Sequence, residues 1–261
     1  MTLIEAGVLF GAAVLAGALN SVAGGGSFIS FPTLVKVGHV PDVNGSATNT
    51  VALWPGSAAS VGAYRRELSA QRRVLFPLGA ASLFGGLAGA ELLLGTPEVT
   101  FQRMVPFLLL FATLLFTFGG NVTNWIRART GRSAAGNGHP SAKTLIGVSL
   151  IQIATAIYGG FFGGGIGIVM LATLRLMGMD NIHEMNALKN LLATIINGVA
   201  TLTFILSGAV WWPQALLMIA GAIVGGYGGA YYARKIDPRL VRRFVILVGF
   251  TMTFYFFFFR K

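Results

Sequence analysis

Two glycine clusters, each followed by a short apolar segment, are the parts of this chain best suited to binding an anion. The first is Gly24-Gly25-Gly26-Ser27 and the second is Gly163-Gly164-Gly165. Glycines at the start of a helix leave backbone N–H groups unscreened, and the aligned peptide dipoles place about half a positive charge there. Such an end binds oxyanions without a side-chain cation, and the Ser27 hydroxyl adds a donor. Close helix packing is the alternative interpretation, because small residues let membrane helices approach one another.

Polar residues open the longer apolar segment that follows each cluster. On a helix, positions i, i+3 and i+4 are neighbours, so the polar residues of each opening share one face. These faces occupy equivalent places in the two halves, and we expect them to converge and to supply hydrogen bonds to a bound molecule. The residues concerned are Ser46, Asn49 and Thr50 in the first half and Asn186, Lys189 and Asn190 in the second.

Lys189 is the single residue most indicative of a site. It lies within the first two turns of a long apolar segment, and ionisable residues inside membrane spans are rare and usually functional. Its ammonium could provide the charge that attracts an anion, whereas a lysine reaching for the membrane interface is the structural alternative. Asn197 lies seven residues after Asn190 and therefore on the same face, with an interhelical hydrogen bond as its alternative role.

Groups able to handle protons are few. The chain has 8 acidic residues and 3 histidines, and no predicted span centre carries the carboxylate common in proton-coupled pumps. Glu91 and Glu184 are the candidates for proton coupling, together with His183, which could titrate near neutral pH. Each also has a structural interpretation at a span end or turn. No P-loop, metal-ligand spacing or nucleophile–base arrangement occurs, so the sequence predicts no catalytic residue, metal or cofactor.

The elements that carry these residues are written twice along the chain. Residues 24–62 and 164–202 are the same motif, related by a constant shift of 140. The shift places Gly24 on Gly164 and also, further along, Gly85-Gly86 on Gly225-Gly226. The sequence therefore predicts a duplicated unit in which each half begins with a broken, glycine-led short helix. Glycines inside the long spans are expected to serve helix packing.

Composition places both halves in a membrane. The chain has 261 residues, of which 54% are hydrophobic and 10% charged, against about 25% charged in a typical soluble domain. The net charge of +11 does not indicate a nucleic-acid partner, because the basic residues lie in loops between apolar spans, as control of membrane topology requires. The predicted fold class is an all-α polytopic membrane protein in contact with the lipid bilayer.

The basic loops predict orientation and domain limits. Segments 64–73, 122–143 and 234–239 are basic and are predicted to be cytoplasmic, whereas the segments 95–102 and 208–212 have no basic residue. If the short glycine-led segments also cross the membrane, each half has five crossings and the repeats are inverted relative to each other. Half-helices and re-entrant hairpins are the alternatives for these segments. We divide the chain into a first repeat at 1–121, a cytoplasmic linker at 122–143 and a second repeat at 144–261. The long spans are predicted at 3–22, 45–63, 74–94, 104–121, 144–162, 187–207, 213–233 and 241–259, and the short segments at 26–37 and 166–177.

Inverted halves with interrupted helices are typical of secondary transporters, which bind substrate between the halves. A passive channel gives the same topology, and a membrane-embedded enzyme or an assembly subunit is a further alternative. Ion currents and transport by the purified protein alone would separate these classes.

The chain resembles the sulfite exporter TauE/SafE family of bacterial membrane permeases. The resemblance covers nearly the whole chain and rests on Ala-Gly-Gly-Gly-Ser at 23–27, the glycines at 163–165 and the two polar openings. It implies a multi-pass protein of the bacterial inner membrane that transports small sulfur-containing anions, such as sulfite or sulfoacetate-like organosulfonates. Proton-motive-force coupling and substrate contacts from the glycine-led helix ends and Lys189 are the corresponding hypotheses. Another small anion remains the alternative substrate, and a homodimer is left open.

Overall fold

The computed structural model describes residues 1–22, 25–63, 72–130, 142–177, 179, 181–232 and 238–259. Within these ranges the chain forms ten helices and no strand. Two of the helices, α2 and α7, are short, and the other eight are long. The bounds are α1 Leu3–Val22, α2 Ser27–Lys36, α3 Asp42–Ala63, α4 Arg72–Gly95, α5 Glu98–Thr130, α6 Ala142–Phe161, α7 Ile166–Leu176, α8 Ile182–Leu206, α9 Trp212–Tyr232 and α10 Pro238–Phe258.

Each predicted apolar segment corresponds to one helix, and the all-helical membrane architecture is confirmed. Among the described residues, 5 helices are long and apolar enough to cross a membrane, and α7 is a shorter apolar helix. Large apolar side chains such as Phe76, Phe84 and Leu202 are exposed on the outer surface, where lipid would solvate them. Helix α5 continues to Thr130, so the first part of the predicted linker is helical. Residues 131–141 lie outside the described ranges.

Helix α3 begins earlier than its apolar run. The backbone N–H groups of Asp42 and Val43 donate to the Glu98 carboxylate at 2.6 and 3.1 Å. This carboxylate, supplied by α5, satisfies amides that the first turn of a helix leaves without partners. Its negative charge also suits the positive end of the helix dipole. The polar opening of the first half therefore lies inside a helix, as does that of the second half in α8.

Helix α2 runs back alongside α1. A Cβ atom built on Gly26, just before α2, would contact the backbone of Ala16. Beyond the other end of α2, His39 Nε2 lies 3.6 Å from a carboxylate oxygen of Glu5. The short helix thus starts partway along α1 and returns toward the end at which α1 begins. Lys36 and Arg175 lie in the last turns of α2 and α7, where a positive charge is favourable beside the negative end of the helix dipole.

Glycines form the two tightest crossings between long helices. A Cβ atom on Gly221 of α9 would lie 2.7 Å from Phe10 O and 2.9 Å from Ala13 Cβ of α1. In the crossing of α4 and α6, a Cβ atom on Gly85 would lie 2.8 Å from Ile153 O and 2.6 Å from Ala156 Cβ. The packing role expected for span glycines is confirmed for Gly85, Gly86, Gly89 and Gly225, whereas no atom lies within 4 Å of a Cβ on Gly228.

The contacts of these glycines change one alignment made from the sequence. Gly85 and Gly221 have corresponding neighbours, and so have Gly89 and Gly225. The constant shift of 140 instead paired Gly85 with Gly225 and is wrong for α4 and α9 by one helical turn. Both helices carry glycines four residues apart, which recur on the same face of a helix. An alignment of the two halves that is displaced by one turn therefore still pairs glycine with glycine.

Helices α3 and α8 cross at the centre of the protein. The indole Nε1 of Trp54 donates to the carbonyl oxygen of Thr194 at 3.1 Å. These two positions differ by 140, the same shift that relates the halves. The Trp54 ring also covers Gly198, whose built Cβ would lie 3.2 Å from Nε1. Equivalent positions of the two halves therefore meet at this crossing.

Candidate functional site

A cavity of about 160 Å³ lies between the start of α7 and the faces of α3 and α8. One buried water needs only about 10–15 Å³ on a comparable measure, so the cavity has room for a small anion with some of its water. Predicted site residues from both halves line it, namely Gly25, Ser27, Asn49, Thr50, Gly164, Gly165, Lys189, Asn190 and Asn197.

The start of α7 presents backbone donors to this cavity. Gly165, which precedes the helix, has φ +78°, a left-handed conformation that glycine adopts without strain. Its turn brings residues 163–167 to the cavity wall. None of the N–H groups of residues 164–167 donates a hydrogen bond to another described residue. Amides at the positive end of a helix dipole are groups that favour bound anions, and these amides occupy that place on α7.

Lys189 reaches the same surface from α8. Its aliphatic stem lies over Gly167, where a built Cβ would be 3.3 Å from Lys189 Cδ. The side chain is partly buried, and no described carboxylate lies within 4.0 Å of its ammonium. A lysine in a membrane span without an acidic partner lacks a counter-charge, and a bound anion would supply one.

The start of α2 is equivalent in position but differs in its hydrogen bonding. The N–H of Gly26 donates to Asn20 Oδ1 at 2.8 Å. Asn49, the equivalent of Lys189, is 4% exposed and donates from Nδ2 to Ser27 Oγ at 3.3 Å. The Gly26 and Asn49 donors at this end are therefore used within the protein, whereas the N–H groups of Gly25 and Ser27, like the amides at α7, donate to no described residue. The polar side chains here are neutral.

Several lining residues were not anticipated from the sequence. Asn20 and Gly17 of α1, Ser57 and Gly56 of α3, and Ala222 and Gly226 of α9 extend the cavity toward the ends of these three helices. Asn20 interrupts an apolar span just before a glycine cluster, which was an available signal. Ser57 could have been found from Asn197, since the shift of 140 relates the two positions.

Other predicted residues lie elsewhere. The Ser46 hydroxyl donates to Phe161 O at 3.5 Å, and Gly26 packs against Ala16. Asn186 is half-buried but does not line the cavity. Glu91 is exposed, and Glu184 accepts a hydrogen bond from Asn181 at 3.0 Å near the start of α8. Gly24 and the side chain of His183 lie outside the described residues.

The electrostatic character of the cavity is positive. No acidic side chain is among the described lining residues, whereas Lys189 and the amides of residues 164–167 are. No group of three metal-ligating side chains that could hold a metal ion occurs among the described residues. The arrangement has room and charge for a small anion, with the Asn190 side chain available as a donor, whereas the Thr50 hydroxyl donates to Ser46 O at 3.0 Å.

Comparison with known proteins agrees with this architecture. A probable membrane transporter protein of Haemophilus influenzae is 26% identical over 247 residues, which cover 94% of this chain and 92% of the relative. The probable membrane transporter protein YfcA of Escherichia coli K12 is 29% identical over 255 residues, covering 95% and 87%. A third, ORF9 of Sinorhizobium sp, is 29% identical over 248 residues, covering 94% and 89%. No solved structure gives a significant match.

The family description that matches this chain is "Sulfite exporter TauE/SafE", over residues 9–256. The match includes both glycine clusters and both polar openings, so it covers the cavity described above. The protein is a multi-pass membrane protein related to transporters, and the chain belongs to the sulfite exporter TauE/SafE family.

Proposed function

We propose that this protein is a secondary transporter of the bacterial inner membrane for small sulfur-containing anions such as sulfite or organosulfonates. One observation carries the proposal. Lys189 and the amides of residues 164–167, which have no acceptor among the described residues, line one cavity whose described lining contains no carboxylate. The family match supports a permease and agrees with an oxyanion as substrate. Another small organic or inorganic anion is the alternative substrate.

Two inverted repeats form the transport unit in this proposal. Helix α1 of the first half is equivalent to α6 of the second, and α4 is equivalent to α9. The pairs α1/α9 and α6/α4 are therefore equivalent, and their glycine contacts match. Helix α4 ends beside Glu98, which caps the start of α3, so α3 and α4 point in opposite directions. In the α1/α9 and α4/α6 pairs, contact positions increase together along both helices, so each pair is parallel. Helix α3 starts near the beginning of α1, so α1 and α4 also point in opposite directions. Since α6 is parallel to α4, these directions support opposite orientations of α1 and its equivalent α6.

Alternating access follows from this organisation. The cavity extends along the second halves of α1, α3 and α9, toward the basic segments that the positive-inside rule assigns to the cytoplasm. On the opposite side, Asn44 Nδ2 donates to Ala209 O at 2.8 Å and Trp211 N–H donates to Thr48 Oγ1 at 3.0 Å. Rocking one repeat against the other would break this seal and expose the site to the other side.

The membrane potential is the proposed driving force. The described lining has no carboxylate to carry a coupled proton. The electrical part of the proton-motive force acts on the anion itself, by about 2.3 kcal/mol per charge for about 100 mV. Because the cytoplasm is negative, this force favours export of an anion that moves alone.

Flux into proteoliposomes tests the function. The purified protein is reconstituted and assayed with sulfite, sulfoacetate, taurine, sulfate and chloride, under potentials of either sign set by potassium and valinomycin. We expect saturable flux of sulfite or sulfoacetate that reverses with the potential. Absence of flux for the whole panel, with protein shown to be folded, would contradict the proposal.

A channel is distinguished in the same preparation. A channel passes ions continuously, whereas each cycle of a transporter needs a conformational change on the microsecond-to-second scale. Single-channel currents in a planar bilayer would therefore rule out alternating access.

A further inference from the structure

The short helix α7 differs from α2 at one position that decides where a cation can lie. Gly167, the second residue of α7, corresponds to Ser27 by the shift of 140. In each half this position contacts the equivalent residue of the next long helix. Ser27 Oγ accepts a hydrogen bond from Asn49 Nδ2 at 3.3 Å, whereas Gly167 lies under the stem of Lys189.

The contact at Gly167 is tighter than an ordinary van der Waals contact would be if a side chain were added while Lys189 kept its position. A Cβ atom there would lie 3.3 Å from Cδ, 3.8 Å from Cγ and 3.9 Å from Cε of Lys189. A carbon–carbon distance of 3.3 Å is shorter than the optimum of about 3.5–4.0 Å. The lysine stem would therefore have to shift by a few tenths of an ångström to admit alanine, and further toward the cavity to admit a larger side chain.

Gly167 has no conformational need to be glycine. It lies in the first turn of α7 with a backbone outside the left-handed region, unlike Gly163 and Gly165. Its small size is therefore explained by the contact with Lys189, which runs across it toward the cavity.

We propose that Gly167 is a positioning residue that holds the Lys189 ammonium beside the free amides of α7, and so fixes where the charged group of the anion binds. The charged group then lies at α7, and the uncharged part of the substrate points toward Ser27 and Asn49. This inference rests on the proposed function for its transport readout, but the contact itself can be tested without transport.

The test is a graded series at position 167. Gly167→Ala and Gly167→Val are compared with Gly79→Ala, a control whose Cβ would meet only Ile195 Cδ1 at 3.7 Å. Valine is included because its branched side chain is stiff and cannot turn away. We expect the KM for sulfoacetate and for sulfite to rise about two- to threefold with alanine and about tenfold or more with valine, with little change in kcat, because the misplacement of the charged group grows with the added side chain. The control should leave KM unchanged.

A chemical readout reports on Lys189 directly. Reductive methylation followed by mass spectrometry compares Lys189 with the reference amine Lys36. We expect Lys189 to react faster in Gly167→Val than in the wild type, because its stem is pushed into the open cavity. An unchanged KM, or a raised KM with unchanged Lys189 reactivity, would overturn the inference. If the wild-type protein carries no anion but Lys189 reactivity changes, the positioning contact stands and the proposed function fails.

Discussion

The starts of α2 and α7 are equivalent in position and differ in hydrogen bonding and charge. At α2 the Gly26 amide is bonded to Asn20, and Asn49 is bonded to Ser27. At α7 the amides of residues 164–167 have no acceptor among the described residues, and a lysine lies beside them. The two helix starts are similar in sequence and place, and they differ in that one bonds its Gly26 amide within the protein while the other has a lysine beside amides without a described acceptor.

The two halves also differ in the residue at one equivalent position of α3 and α8, close to where these helices cross. Gly56 of α3 faces Ala222, whose carbonyl oxygen would be 3.6 Å from a Cβ built on the glycine. The equivalent position on α8 is Ile196, which is fully buried against Gly86 and Gly159. The cavity extends past Gly56, whereas Ile196 fills the corresponding space in the other half. The two halves therefore differ in access as well as in charge.

Removing the charge of Lys189 should produce the largest loss of flux and tests the difference between the starts of α2 and α7. We expect Lys189→Met to reduce sulfite or sulfoacetate flux by about 100-fold or more, because it removes a charge-assisted contact worth about 3 kcal/mol in a poorly solvated site. Asn49→Met, the matched change in the first half, should reduce flux much less. Equal losses in the two variants, both verified as folded by size-exclusion chromatography, would show that the halves do not divide these roles.

Filling the cavity should give the next largest effect. Gly56→Ile places in α3 the side chain that α8 carries at position 196, and it should lower flux about tenfold or more by occupying space that the substrate uses. Gly11→Ile is the control, since no atom lies within 4 Å of a Cβ on Gly11. The chain contains no cysteine, so Ser57→Cys can be labelled cleanly. Its labelling by a small thiol reagent should be blocked in the Gly56→Ile background. Unimpeded labelling and flux would exclude this path.

Removing the Ile196 side chain tests the same difference between the halves by its effect on stability. Ile196→Ala should lower the free energy of unfolding in detergent by about 2–5 kcal/mol, because it leaves a cavity in a buried contact. Gly56→Ala should change it by less than about 1 kcal/mol, since the new methyl group meets its neighbour at an ordinary distance. Similar losses of stability in both variants would contradict the assignment of Ile196 as the residue that fills the space.

The smallest expected effect concerns the start of α2. Asn20→Ala removes the acceptor of the Gly26 N–H, which should cost about 1 kcal/mol of stability. Because Asn20 lines the cavity but carries no charge, sulfite flux should fall by no more than about twofold. Thermal unfolding and flux are measured together. A loss of flux as large as that of Lys189→Met would show that α2 contributes to anion binding as much as α7 does.

The sequence was sufficient for the helices and for much of the cavity lining. Apolar segments separated by glycine, proline and basic residues predicted each helix, and one helical face correctly grouped Lys189, Asn190 and Asn197. The contributions of Gly17, Ala222 and Gly226 could not be predicted, because they depend on how α1 and α9 pack beside α3. The glycine pairing of α4 with α9 was misplaced because a repeat of four residues matches itself after one turn.

The roles of three further residues, which depend on contacts between helices, could not be predicted from the sequence. Glu98 reaches the start of α3 from another helix, and no local spacing indicates that contact. Ile196 is an ordinary apolar residue in an apolar span, and its importance follows only from the glycine at the equivalent position. The role of Gly167 likewise depends on the lysine stem that crosses it.

Moving the positive charge to the other helix end tests the central claim most directly. A four-change variant exchanges the two pairs. The second half receives the first-half residues through Gly167→Ser and Lys189→Asn. The first half receives the second-half residues through Ser27→Gly and Asn49→Lys. The measurement is sulfoacetate flux into proteoliposomes, compared with the variant that carries only the first two changes. Our account predicts no flux in the two-change variant and partial recovery in the four-change variant, because an anion is held by a lysine beside a short-helix start. Full flux in the two-change variant would contradict the account, since transport would then need no charge at this site.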